Sequence, residues 1–242
     1  TPIVSSSTES TAAMAEESQP PTVMHKLVYD CNWNGLLKRL ETNPEEALQT
    51  VEETTWMQQD GACLPQDDLI IEASNLAPIH ILCTRQEVPI DVLDAYLQSQ
   101  PKSIHLLTSD NRTPLHLACY AKQSLDFIQV LSQADPETLA WQESFDGWNV
   151  FHICVHCDTE EDVMSTLLQI ATSKGTMEAL AMKDRNGRIP IVLACNVRPK
   201  IAKKDFALLH AASNTEHLDR SLLEELSRNY RTCLAGALQL KP

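Results

Sequence analysis

Residues 113–119 read Thr113-Pro114-Leu115-His116-Leu117-Ala118-Cys119. Thr113 suits an N-cap, because its side-chain oxygen can accept from the free amides of a first helical turn. Pro114 suits the first helical position, where no amide donor is needed. Leu115, Leu117 and Ala118 then predict a short apolar helix. Working outward, the same phrase returns. His80, His116 and His152 lie 36 residues apart, in Ala77-Pro78-Ile79-His80-Ile81-Leu82-Cys83, in 113–119, and in Asn149-Val150-Phe151-His152-Ile153-Cys154-Val155. Ile189-Pro190-Ile191-Val192-Leu193-Ala194-Cys195 follows after 40 residues, and Thr22-Val23-Met24-His25-Lys26-Leu27 is a degenerate first copy.

Two further phrases recur between these copies. Phe127, Ile128, Val130 and Leu131 carry a helical apolar stripe that Asp135-Pro136 stops. Leu36, Leu37 and Leu40 before Asn43-Pro44, and Val92, Leu93 and Leu97 before Gln100-Pro101, repeat that pattern. Ahead of the heptapeptides stand polar turns: Ser109-Asp110-Asn111-Arg112, Phe145-Asp146-Gly147-Trp148 and Arg185-Asn186-Gly187-Arg188. Asn, Asp and Gly tolerate the positive φ of tight turns. Each unit is thus a turn and a helix pair too small to hide its own apolar side, so units must stack.

On these residues the chain resembles the ankyrin-repeat family, whose T-P-L-H-x-A signature matches 113–118. The longer period is similar to that of divergent arrays of protists and algae. The resemblance implies an all-α, ankyrin-repeat-like α-solenoid of about five units over 23–216, with a long acidic insertion near 50–76. A disordered acidic tail at 1–22 and a capping helix at 217–242 are expected to flank it. Departures are visible: Val192 replaces His, and the glycine usual between paired helices is mostly missing.

The 242 residues carry 19 basic and 33 acidic side chains, a net charge of −14. Such a chain repels phosphate backbones, so no nucleic-acid partner is expected. No apolar run is long enough to span a bilayer. The tail lacks the basic and apolar regions of a signal peptide. Cys83, Cys119 and Cys195 recur as small buried hydrophobes, which predicts reduced thiols in an intracellular compartment, cytoplasmic or, after leader removal, organellar.

No GxSxG, HExxH, GxGxxG or Walker A pattern occurs, so neither enzymatic activity, a cofactor nor a small-molecule substrate is expected. The run His152, Cys154, His156 and Cys157 offers zinc-ligand chemistry, but a helix sends 154 away from 152 and 156, so no metal is expected. A metal- or redox-responsive sensor built on these four residues is the alternative function. The leading expectation is a protein-interaction module: an adaptor, assembly factor or accessory subunit of a larger complex. Carried over from the family, the contact face comprises Asp110, Arg112, Asp146, Trp148, Asn186 and Arg188 on the turns. On the helices it comprises Thr84, Arg85, Tyr120, His156 and Asn196. Arg198, Lys200, Lys203 and Lys204 form a possible docking patch for an acidic partner, and Trp56 and Met57 are secondary candidates.

Overall fold

The structure, a computed structural model, describes residues 20–52 and 74–197. The expected capping helix and the basic patch lie outside these residues, as do Trp56 and Met57. Nine α-helices occur among the described residues, and the β-structure there is a single antiparallel bridge.

The heptapeptides form one set of helices: α1 (Val23–Tyr29), α3 (Pro78–Leu82), α5 (Pro114–Tyr120), α7 (Val150–His156) and α9 (Pro190–Val197). The amphipathic stretches form α2 (Trp33–Thr42), α4 (Ile90–Ser99), α6 (Leu125–Ala134) and α8 (Glu161–Lys174). Contacts run in chain order. α1 packs on α3, α3 on α5, α5 on α7 and α7 on α9, while α2 packs on α4, α4 on α6 and α6 on α8. α3, α5 and α7 are buried almost throughout, α1 buries Met24, His25 and Val28, and the second row turns only a stripe inward, such as Phe127, Ile128 and Leu131 of α6. Each such side chain contributes roughly 1.5–3 kcal/mol by leaving water.

The proline stops end one helix and start another. Pro44–Leu48, Pro101–His105 and Pro136–Ala140 are 3-10 turns with proline at their first position. The step of 40 residues also has a local cause. α8 has 14 residues where α4 and α6 have 10, one extra turn. Gly175, at φ +78°, closes it. The inserted segment is clasped at its base by Val51 and Leu76, which exchange two backbone hydrogen bonds of 2.9 Å.

Cys31, Glu87, Lys122 and Asp158 take φ of +53° to +56° between paired helices. An L-residue there is strained. The polar turns use Asn75, Asn111, Gly147 and Gly187 at positive φ. Successive turns are bonded: Ser109 N–H donates to Ser74 O (2.9 Å), Ser144 to Asp110 O (2.7 Å) and Arg185 to Asp146 O (2.8 Å).

Candidate functional site

The four recurring histidines are consumed by the framework. Nε2 of His25, His80, His116 and His152 donates to the carbonyls of Leu76, Leu106, Trp141 and Arg188, at 2.9, 3.0, 3.1 and 2.9 Å. A carbonyl only accepts, so Nε2 carries the proton. Nδ1 then accepts from the N-cap amides of Thr22, Ala77, Thr113 and Asn149. Each ring joins its helix start to the chain near the following turn. Burial holds His80, His116 and His152 down to about pKa 4, against partial compensation from those carbonyls, and lowers His25 as well. Rings held neutral and bonded at both nitrogens are poor proton carriers.

Variation sits four residues before and four after this position. In the α5 unit the pair is Arg112 and Tyr120, with the guanidinium carbon 5.3 Å from the ring centroid. Arg112 also lies 3.8 Å from the Asp110 carboxylate. In the α7 unit the pair is Trp148 and His156, stacked at 4.6 Å and tilted by 43°. His156 is exposed, whereas Arg112, Tyr120, Asp110 and Asp146 are half-buried. Burial raises the Tyr120 hydroxyl above its usual value, so it stays protonated.

The turns are held from beneath. Buried Glu143 accepts the amides of Phe145 (2.6 Å), Asp146 (2.8 Å) and Trp148 (3.0 Å). Asp184 accepts those of Asn186 (2.9 Å) and Arg188 (2.8 Å), and the Arg188 guanidinium at 2.7 Å. Burial works to raise the Asp184 carboxyl, but the Arg188 bonds outweigh it and hold it low. Thr108 accepts the amide of Arg112 at 3.1 Å. Anchored so, the turns leave Asn186 exposed and Arg188 half-buried.

Three expected surface residues prove buried. Thr84 spends its hydroxyl on Ile81 O (2.8 Å) at the end of α3. Arg85 is 1% exposed because its guanidinium lies over the Tyr29 ring at 5.0 Å. Trp148 is 7% exposed, sealed against His156, and its indole N–H has no hydrogen-bond partner among the described residues. Asn196 falls in the last turn of α9. The expectation overlooked Phe145, 75% exposed at a turn tip, and Trp141. An aromatic where the α5 unit has Ser109 was the signal for Phe145.

Of the possible zinc ligands, His152 is committed, Cys154 is core and His156 faces Trp148. Among the described residues no three His, Cys, Asp or Glu side chains converge to hold a metal. Cys154 and Cys157 are free, and burial pushes the Cys157 thiol up to about 11, away from thiolate reactivity. No helix among the described residues is long and apolar enough to cross a membrane. Comparison with protein-family models and with curated proteins finds no match for this chain.

Proposed function

We propose that the chain is a non-catalytic protein-interaction module, an ankyrin-like solenoid acting as adaptor, assembly factor or accessory subunit. One observation carries this reading. The framework positions repeat with the same bonding, while the flanking positions change from Arg112 and Tyr120 to Trp148 and His156. A repeated frame with a varied face suits recognition of an extended polypeptide rather than turnover of a substrate. Phe145, His156 and Asn186 are the exposed members of that face, and Arg112 and Tyr120 are half-buried beside them. Aromatic and arginine side chains dominate interface energetics at about 2 kcal/mol or more for a central anchor. Trp148 acts beneath them, holding the His156 ring in place.

The test is affinity capture from native extract with mass spectrometry, wild type against Arg112→Ala and Phe145→Ala. Specific polypeptide partners lost from both variants support the reading. Retention of every partner by both moves the contact face elsewhere. Capture of no polypeptide overturns the reading.

A further inference from the structure

We propose that the cleft at the C-terminal end of α8 receives a basic side chain, arginine above all, from a segment of a partner protein. This rests on the interaction reading and supplies the chemistry of the partner. The cleft, wide open to solvent, measures about 440 Å³ between the Pro136–Ala140 turn and the residues that leave α8. None of the residues that line it belongs to the Arg112–Tyr120 or Trp148–His156 stacks.

Four observations select a cation. Trp141 lines the cleft and is 46% exposed, an indole whose π face attracts positive charge. Glu137 and Glu178 line the same space. α8 brings the carbonyl end of a 14-residue helix to it, the negative end of the helix dipole. Thr176 also lines it, is only 7% exposed, and its buried hydroxyl has no hydrogen-bond partner among the described residues. Lys174 is the opposing charge; it is exposed, on a long stem that can turn its ammonium to water.

Arginine is favoured over lysine because its planar fork stacks on an indole while bonding carboxylates in its own plane. Charge argues the same way at long range. A chain of net charge −14 draws a basic partner toward it and repels an acidic one.

The experiment follows the Trp141 indole N–H in ¹⁵N-correlated spectra of the full chain, with Trp141→Phe assigning the resonance. The probe is the peptide Ac-Gly-Arg-Gly-amide, with the citrulline and glutamate peptides as controls. The expected result is a saturable shift at about millimolar peptide, the affinity of one isolated side chain. The citrulline peptide, and the Glu137→Gln/Glu178→Gln variant with the arginine peptide, should each bind at least about fivefold more weakly. Thermal melting of that variant controls for folding, since it replaces surface carboxylates by isosteres. No saturable shift, or equal shifts from the citrulline or glutamate peptide, overturns the proposal. If the arginine peptide fails while native partners are still captured, the cleft inference falls and the interaction reading stands. If the peptide binds but no polypeptide is captured, the interaction reading falls alone.

Discussion

The units built on α5 and on α7 share one frame and differ in nearly everything laid over it. Each has a capped helix start and a histidine bonded at both ring nitrogens. Each has a positive-φ residue between its paired helices, Lys122 or Asp158. Yet Thr108 supports one turn where buried Glu143 supports the next, and a cation over tyrosine gives way to tryptophan against histidine. The lesson is that backbone hydrogen-bond demand holds the first set of positions constant. The second set has only to fill space and meet solvent, so it is free to diverge.

The shared frame should fail together in acid. His80, His116 and His152 are held near pKa 4 when folded and return toward 6.5 when unfolded. Their contribution is complete above about pH 6.5 and is lost as pH falls toward 4, because the unfolded chain there binds more protons. Each adds up to about 1.4 kcal/mol per pH unit within that window, the three together up to about 4. Urea unfolding as a function of pH measures the slope, and a flat profile would mean the rings are not buried neutral.

The stacks should then part company. Trp148→Ala is expected to cost about 3–5 kcal/mol, as a buried aromatic truncation does. Arg112→Ala should cost about 1 kcal/mol, the scale of a partly exposed cation–π contact. Denaturant unfolding of both variants decides; equal costs would erase the distinction between a buried and a half-buried pair.

The turns offer a finer contrast. Gly147→Ala and Gly187→Ala both place a side chain at positive φ, +73° and +76°. At Gly147 the added carbon would meet Arg185 N at 3.1 Å, whereas Gly187 has open space. Losses of about 2 and about 1 kcal/mol are expected from thermal unfolding. The smallest effect is a gain. Lys122→Gly relieves a left-handed lysine and should stabilise by about 0.5 kcal/mol, with Asp158→Gly gaining less because aspartate tolerates that region. A loss of stability for Lys122→Gly would show that its stem packs usefully.

Helix starts, proline stops and turn positions were readable because they depend on neighbours within four residues. Thr113 caps the amide of His116, and Pro114 sits where no donor is needed. The repeat of that local chemistry every 36 residues announced paired helices in series. Burial of the flanking pairs was not readable in the same way. Arg85 is covered by Tyr29, 56 residues earlier in the chain. His80 and His116 reach their carbonyls 26 and 25 residues away. Nor could a turn sequence tell that Phe145 would stay in water while Trp148, three residues on, would be sealed. Short-range hydrogen bonding thus wrote the frame into the chain, because a backbone donor needs its partner wherever the unit occurs. Which large side chains remain open for recognition was settled by packing, since exposure is a property of the neighbouring units and not of the residue itself.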